Sequence, residues 1–94
     1  MIHIPPQVFA LGRLLITPHA QAVLKMTGLS AWTLLFAHGS GNWVTERDRQ
    51  QFDHAVENDF EIVSYHVLDN GMKVAVRTND GHTETVVMLE EELL

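Results

Sequence analysis

The chain has 94 residues, 46% of them hydrophobic, no cysteine and a formal net charge of −6. A chain of this length forms one small domain, 1–94, that buries roughly 60–65% of its unfolded surface. The six lysine and arginine residues are scattered, which excludes the basic stripe needed for non-specific binding to nucleic acid. No apolar run approaches the roughly 18 residues that cross a membrane, and the start lacks a signal-peptide pattern. Since no disulfide can form, we expect a cytoplasmic protein.

The first third of the chain predicts a strand followed by two helices. Residues 1–6 are expected to be a flexible start, and the apolar, partly β-branched stretch 7–16 predicts a strand. Thr17 followed by Pro18 is a helix-start signal, because threonine caps the helix and proline fits its first position. This helix is expected to end at Gly28. A second helix is expected from the cap Ser30 to Gly39.

A third helix is predicted at about 46–58. Thr45 with Asp48 three residues later resembles a capping box, in which Asp replaces the usual Glu or Gln. An apolar stripe along this helix is expected to face the core. The stripe consists of Phe52, Ala55, Val56 and Phe60.

The last third of the chain predicts an antiparallel meander. The stretches 61–69, 72–78 and 82–89 are rich in β-branched residues, and the first two are joined by Asn-Gly, a strong hairpin signal. Asp-Gly supplies the second turn, and residues 90–94 are an acidic tail end. The order β-α-α-α-β-β-β indicates an α+β fold with the helices packed on one face of the sheet.

Two-residue turns would fix the register of the meander. The first turn places Tyr65 opposite Val76 and Ser64 opposite Arg77, and the second places Arg77 opposite Glu84. If Asn79 joins the second loop, the last strand shifts by one residue, its side chains exchange faces, and the pairing of Arg77 with Glu84 is lost. One face would then be the core face, with Val63, Tyr65, Val67, Met72, Val74, Val76, Val87 and Leu89. The other face would carry Ser64, His66, Arg77 and Glu84, together with Ala75, Val86 and Met88.

The four polar residues of that second face form a candidate catalytic cluster. An imidazole, a cation and a carboxylate are the groups that metal-independent RNA cleavage uses. The alternative is a solvated face with one Arg–Glu pair that contributes roughly a few tenths of a kcal/mol. Val86 and Met88 on the same face indicate that a strand, a helix or a partner covers it, which makes them candidate binding residues.

The stretch FAHGSGNWVTERD, 36–48, raises the possibility of a histidine site at His38. The structural alternative is a helix that ends with His38 near its last carbonyl groups, a glycine turn, and Trp43 folded back as a lid. The residues favour this alternative, although Trp43 is also a weak candidate for binding. The six histidines lack metal-site spacing, and there is no phosphate loop or nucleophile elbow, so we expect neither metal nor cofactor.

Several short motifs occur in a recognisable order along the chain. They are L-G at 11–12, T-P-x-A at 17–20, H-x-x-G-x-W at 38–43, a serine at the start of the meander, and a closing L-x-E-E. From about residue 11 to 92 the chain resembles small plasmid-related proteins that are carried on plasmids and integrative elements. The resemblance implies no particular function.

The chain departs from that family pattern at three places. Asn42 stands where an aspartate is expected, His82 where an arginine is expected, and Ser64-Tyr65-His66 where the pattern is S-x-Y. Because an acid, a base and an aromatic position all change, these departures weaken the hypothesis of an enzyme.

Two functional hypotheses follow from the sequence. The first is a non-enzymatic protein-binding module of a plasmid or mobile element, which serves plasmid maintenance or counter-defence by binding a partner protein or a second copy of itself. The alternative is a small ribonuclease-like toxin that needs no metal. In that alternative His66 or His38 acts as general acid and base, and Arg77 stabilises the phosphate.

Overall fold

The computed structural model describes residues 6–93 of the chain. It confirms an α+β fold with three helices and the predicted order of elements, and it shows that all four strands form one sheet. The predicted flexible start lies outside the described residues except for residue 6. The elements are β1 (Arg13–Ile16), α1 (Pro18–Thr27), α2 (Ala31–Ser40), α3 (Arg49–Asn58), β2 (Ile62–Val67), β3 (Lys73–Thr78) and β4 (Glu84–Leu89). Short 3₁₀ turns precede α3 at Glu46–Asp48 and follow β4 at Glu90–Leu93.

The sheet has the strand order β1-β4-β3-β2. The antiparallel meander of β2, β3 and β4 is confirmed, but β1 pairs in parallel with β4, so the sheet as a whole is mixed. The first strand is shorter than the predicted 7–16. The preceding residues lie against the end of α2 instead, where the Val8 N–H donates to the Gly39 carbonyl at 2.9 Å.

The sequence signals at the ends of α1 and α2 are largely confirmed. Thr17 Oγ1 accepts a hydrogen bond from the Ala20 N–H, and Gly28 ends α1 in the left-handed conformation. Ser30 caps α2, but this helix continues past Gly39 and ends before Gly41 (φ 74°). The predicted end at Gly39 was therefore wrong. That glycine lies inside the helix at the point where the N-terminal segment packs closely against it.

The capping box predicted for α3 does not form. The Thr45 hydroxyl donates to the Asp48 carboxylate at 3.1 Å, and neither side chain caps a backbone N–H. Residues 46–48 therefore form a 3₁₀ turn, and α3 begins at Arg49. Of the predicted apolar stripe, Phe52 is buried, whereas Phe60 lies beyond the helix and is exposed.

The predicted register between β2 and β3 was wrong by one residue. The ladder pairs Ser64 with Val76 and Tyr65 with Ala75. Its last hydrogen bond, from the Leu68 N–H to the Met72 carbonyl, leaves three residues in the connection rather than two. A shift of one residue moves every side chain of β2 to the opposite face. Ser64 therefore faces the helices, and Tyr65 faces away from them.

The register between β3 and β4 differs from the prediction by two residues. Arg77 pairs with Val86 rather than with Glu84. The longer turn is held by the Asn79 side chain, whose Oδ1 accepts from the N–H groups of Thr83 and Glu84 at 3.0 Å. A shift of two residues preserves the faces, so Arg77 and Glu84 share a face without being opposite each other.

The predicted core face is therefore correct for β3 and β4 but not for β2. Val74, Val76, Val87 and Leu89 are buried, as expected. The Tyr65 side chain is 59% exposed and that of Val67 is 70% exposed, which places β2's odd-numbered residues on the outside. Met72, also expected in the core, is exposed, and Val63 is only half-buried.

The core consists of two apolar clusters on the helix side of the sheet. The larger cluster joins α1 and α2 to the strands through Ala20, Val23, Leu24, Leu34, Leu35, Leu68, Val74, Val76, Val87 and Leu89. The smaller cluster lies under α3 and consists of Phe9, Val44, Phe52 and Ile62. None of the helices within residues 6–93 has the length and apolar character that spanning a bilayer requires.

The acidic segment after β4 is fixed to the start of α1. Glu92 accepts hydrogen bonds from the Thr17 hydroxyl and from the Leu89 N–H, both at 2.8 Å, and lies 3.5 Å from His19. The Leu89 N–H, followed by the Thr17 hydroxyl, lowers the pKa of the Glu92 carboxyl. Residues 90–93 thus form a structured 3₁₀ turn at the N-terminal end of α1, where a carboxylate is favourable.

Replacement of Gly12 by alanine should destabilise the fold strongly. Gly12 has φ 66°, and a Cβ there would overlap the carbonyl group of Thr83 in the neighbouring turn. Gly28 has φ 74° with open space around it, so Gly28→Ala has the same backbone strain without the overlap. We expect a loss of about 1–2 kcal/mol for Gly28→Ala and a clearly larger loss for Gly12→Ala in urea denaturation. Equal losses for the two variants would contradict the close approach at Gly12.

Candidate functional site

A chain of hydrogen-bonded side chains runs across the helix-facing side of the sheet. The His38 ring joins β2 to β3, because its Nδ1 lies 2.6 Å from the Ser64 hydroxyl and its Nε2 lies 2.9 Å from the Thr78 hydroxyl. Thr78 continues to the Thr85 hydroxyl at 2.7 Å. At the other end, His66 Nε2 lies 2.9 Å from Ser64. We call these five residues the polar chain.

The sheet positions three of these side chains under one helix. Ser64, Thr78 and Thr85 lie on the inner face of three neighbouring strands, and His38 projects onto them from the last turns of α2. These four side chains have no solvent exposure, and no buried side-chain polar atom within residues 6–93 lacks a hydrogen-bond partner. Complete pairing is what makes a buried polar network stable.

The direction of every hydrogen bond follows from counting protons. The Thr85 hydroxyl donates to the Leu11 carbonyl at 2.6 Å, because a carbonyl can only accept. Thr85 must therefore accept from Thr78, and Thr78 must accept from the Nε2–H of His38.

The same reasoning extends to the β2 end of the polar chain. His38 carries its proton on Nε2 when neutral, so its Nδ1 accepts from the Ser64 hydroxyl. Ser64 in turn accepts from the Nε2–H of His66. The arrangement requires a neutral His38 with one donor and one acceptor nitrogen.

The surroundings of His38 favour the same neutral form. Burial, with smaller contributions from His66 and His82, lowers the pKa of His38 from 6.5 to about 3. Burial also lowers the pKa of His66. The two nitrogens of His38 contact hydroxyl groups rather than carboxylates, which gives the ring no counter-charge that would stabilise an imidazolium.

Aromatic side chains enclose the His38 ring. Trp43 folds back and stacks on it, with ring centres 5.9 Å apart and planes 3° from parallel, and the Trp43 Nε1–H donates to the His38 carbonyl at 2.9 Å. Phe9 meets the ring edge-on at 5.3 Å. The expected Trp lid is therefore present, but the lid covers a buried imidazole. His38 lies in the last turn of α2, as expected, but its nitrogens bind strand hydroxyls rather than the helix carbonyl groups.

His82 fixes a second connection on the same side of the molecule. It is buried, has a left-handed backbone (φ 51°), and donates from Nε2 to the Phe60 carbonyl at 2.7 Å. Its Nδ1 lies 3.4 Å from the Asp59 carboxylate, and its ring packs on Phe9. The turn between β3 and β4 is thereby joined to the end of α3.

The four predicted catalytic residues do not form one cluster. Ser64 and His66 face the helices, whereas Arg77 and Glu84 lie on the opposite face of the sheet. Arg77 forms an ion pair with Glu61 at 2.6 Å instead of with Glu84. The one-residue change in register is the physical reason for this separation.

The polar chain has the chemistry of a structural network. A serine that donates to a histidine nitrogen is the arrangement of an activated nucleophile. Here, however, the Ser64 hydroxyl has no solvent exposure and is hydrogen-bonded to both His38 and His66. Solvent reaches the chain at its His66 end, in a groove of about 330 Å³ that is also lined by Leu29, Leu34 and Leu68. Substrate therefore has no path to the serine oxygen.

The opposite face of the sheet, here called the outer face, carries the binding candidates of the meander. The three helices pack on the other side, and the outer face combines apolar side chains with charges at its margin. Val86 is half-buried and Met88 is buried on this face, while Trp43 lies on the helix side. The apolar members are Leu15, Val63, Tyr65, Val67, Ala75, Val86 and Met88. The charged members are Arg13, Lys73, Arg77, Glu61 and Glu84.

Comparison of the chain with protein-family models, with curated proteins and with solved structures gives no match. The resemblance to plasmid-related proteins stays a prediction. Within residues 6–93, no group of three or more His, Asp or Glu side chains is arranged to hold a metal ion.

The motifs that carry the resemblance contact one another in the structure. His38 accepts from the Ser64 hydroxyl, Thr17 donates to Glu92, and Trp43 stacks on His38 within its own motif. The contacts His38–Ser64 and Thr17–Glu92 hold distant parts of the chain together, so these motif residues have a structural role in the fold. The sequence identified His38 and Ser64 but missed Thr78 and Thr85, because threonine is common in strands and the correct register was needed to bring them to His38.

The burial of neutral His38 should make stability depend on pH. The unfolded state binds a proton at His38 near pH 6.5, whereas the folded state binds one only near pH 3. The stability that this difference provides is present above pH 6.5 and is lost as the pH falls toward 3. His38→Gln keeps one donor and one acceptor without this titration. The wild type should have a higher free energy of unfolding than His38→Gln at neutral pH. We expect this difference to decrease by up to about 1.4 kcal/mol for each unit by which the pH is lowered from 6 to 4. Parallel stability curves over that range would contradict a buried neutral His38.

Removal of the Thr78 hydroxyl should also destabilise the fold. Thr78→Val leaves the Nε2–H of His38 without its acceptor in a buried site, which costs about 1–3 kcal/mol. The matched control is Thr33→Val at an exposed position of α2, where the expected change is within about 0.5 kcal/mol. Denaturation of both variants at pH 7.5 measures the difference. A Thr78→Val variant as stable as the control would contradict the assigned hydrogen bonds.

Proposed function

We propose that the protein is a non-enzymatic binding module that recognises a partner protein with the outer face of its sheet. The observation that carries this proposal is the exposure of Tyr65 and Val67 on the face opposite the helices, which also carries half-buried Leu15, Val63 and Val86. Exposed aromatic and aliphatic side chains surrounded by charges are typical of interaction surfaces. The proposal assigns the protein-binding role expected from the sequence to this surface.

The distribution of charge supports an acidic, apolar partner. The outer face carries three of the chain's six cations, Arg13, Lys73 and Arg77, but only two of its twelve acidic residues, Glu61 and Glu84. These five residues sum to +1, Glu90 and Glu91 line a groove with Lys73 at the margin of the face, and the whole chain carries −6. A partner with carboxylates around an apolar patch therefore meets complementary charge on this face and repulsion elsewhere.

The ribonuclease hypothesis receives less support from the geometry. Such an enzyme must bring a general base and a phosphate-binding cation to the same substrate. His66 and Arg77 project from opposite faces of the sheet, and His38 is enclosed by Phe9 and Trp43. We therefore favour binding over catalysis.

The resemblance to plasmid-related proteins suggests the setting of this binding. A small acidic protein of a mobile element acts in the cytoplasm of its host, in plasmid maintenance or in countering a host defence. A protein that binds and blocks a host component needs a recognition surface but no catalytic group, which agrees with the separation of the polar residues described above.

Charge reversal on the outer face tests the proposal. Wild-type protein, Arg13→Glu/Lys73→Glu, and the control Lys25→Glu/Arg47→Glu are immobilised and exposed to host lysate, and retained proteins are quantified by mass spectrometry. All four substituted residues are exposed, and the two double variants change the net charge equally. We expect wild type and control to retain one protein in similar amounts. The outer-face variant should retain about tenfold less of it or lower, which is equivalent to about 1.4 kcal/mol.

The retained protein is then purified and its affinity for the three forms is measured by calorimetry. Equal affinity for all three forms, or no protein retained by wild type, would contradict binding through the outer face.

A further inference from the structure

Strand β2 lies at one edge of the sheet, and its outward backbone groups can be identified from the ladder. The Leu68 N–H donates to Met72, and hydrogen-bonded pairs alternate along an antiparallel ladder, so the backbone groups of Ile62, Ser64 and His66 point toward β3. The N–H and C=O groups of the alternate residues point away from the sheet. Within residues 6–93, no hydrogen bond satisfies these groups of Val63, Tyr65 and Val67.

This edge lacks the features that normally prevent strands from pairing. Protected edges are short, or carry proline, bulges or charges, above all lysine. The β2 sequence IVSYHV has none of these residues over six positions and forms a continuous, unbulged ladder with β3. By contrast, the other edge strand, β1, has four residues and begins with an arginine. The β2 edge is therefore the part of the sheet best suited to accept a further strand.

The helical layer leaves space along this edge. A groove of about 460 Å³ lies between α3 and the start of β2, next to Phe60 and Val63. The groove of about 330 Å³ described above lies beside the other end of the strand, at His66 and Val67. A strand added to β2 would run past both grooves.

We propose that a second copy of the chain occupies this edge, with the two β2 strands antiparallel about a two-fold axis at Tyr65. This register pairs Tyr65 with Tyr65 of the second copy and Val63 with Val67 of the second copy. All three pairs have their backbone groups directed outward, so each exchanges two N–H···O bonds. The result is a continuous eight-stranded sheet.

The symmetry of the strand favours a second copy over an extended peptide of another protein. An isologous interface requires a surface that complements itself. The sequence V-S-Y-H-V reads nearly the same in both directions around Tyr65, and it places valine opposite valine and tyrosine opposite tyrosine on the outer face. Such β-branched and aromatic cross-strand pairs are stabilising. The strand has no acidic residue or permanent cation, so two chains of charge −6 meet without a close charge repulsion.

The assembly goes beyond the proposed function and does not depend on it. Pairing through β2 joins two outer faces side by side, so one dimer presents twice the surface of a single chain on one side of the sheet. A monomeric module is able to bind a partner, and a dimer is able to form without one. Measurements on the purified protein therefore decide the dimer separately from partner binding.

Charge substitution at the two-fold axis tests the proposal. Light scattering during size-exclusion chromatography should give the wild type twice the chain mass of 10.6 kDa. Tyr65→Lys and Tyr65→Glu each place like charges opposite one another, and each should raise the dimer Kd about tenfold or more. Mixing the two variants should restore dimers that contain one of each. The control Trp32→Lys changes an apolar side chain that is 55% exposed on α2 and should leave the mass unchanged.

Hydrogen exchange distinguishes pairing through the strand edge from stacking of two outer faces. In the wild type the amide protons of Val63, Tyr65 and Val67 should be protected, and in Tyr65→Lys those of Val63 and Val67 should exchange at least about tenfold faster. A wild type that stays monomeric at millimolar concentration would overturn the proposal. So would a dimer whose three edge amides exchange freely, or a monomer that becomes protected at these amides only when it binds an extended peptide.

Discussion

The structure depends on how one buried imidazole is accommodated between an α-helix and three strands. The His38 ring has no contact with water, so both of its nitrogens must be paired inside the protein. Ser64 supplies a donor to Nδ1 and Thr78 an acceptor for Nε2–H, and at the end of the network the Thr85 hydroxyl donates to the Leu11 carbonyl. Because each group has one permitted role, the network specifies the depth of α2, the register of the strands and the position of the N-terminal segment together.

This constraint explains why the strand register is unique despite an ambiguous turn. A slip of β2 by one residue would bring Val63 or Tyr65 under the His38 ring in place of Ser64 and leave its Nδ1 without a donor. Aliphatic packing alone discriminates poorly between these alternatives, because β-branched aliphatic residues occur at both parities of the strand, Ile62 at one and Val63 and Val67 at the other. A buried polar network often serves specificity in this way, at some expense in stability.

The sequence was sufficient where structure is decided locally. Thr17 and Ser30 start helices, Gly28 ends one, and the β-branched stretches form strands, since each signal acts within a few residues of chain. The register of β2 depended on whether the turn held two or three residues, and that single residue moved Ser64 and His66 away from Arg77. The polar chain could not be predicted from the sequence for a related reason. Its hydrogen-bonded neighbours are up to 40 residues apart in the sequence, and only the tertiary fold brings His38 to Thr78.

The parallel pairing of β1 with β4 has a consequence for how the chain folds during synthesis. The meander from 62 to 89 has local connections, so it can form as soon as its own residues are available. Strand β1 emerges from the ribosome before the other strands, yet its ladder partner begins at Glu84. The Leu11 carbonyl accepts from the Thr85 hydroxyl, which is 74 residues later in the chain. The loop that joins them must close last, at a larger cost in chain entropy. The segment that contains β1 is therefore made before its partner and docks only after β4 has been made, which leaves its apolar residues open to chaperones until then.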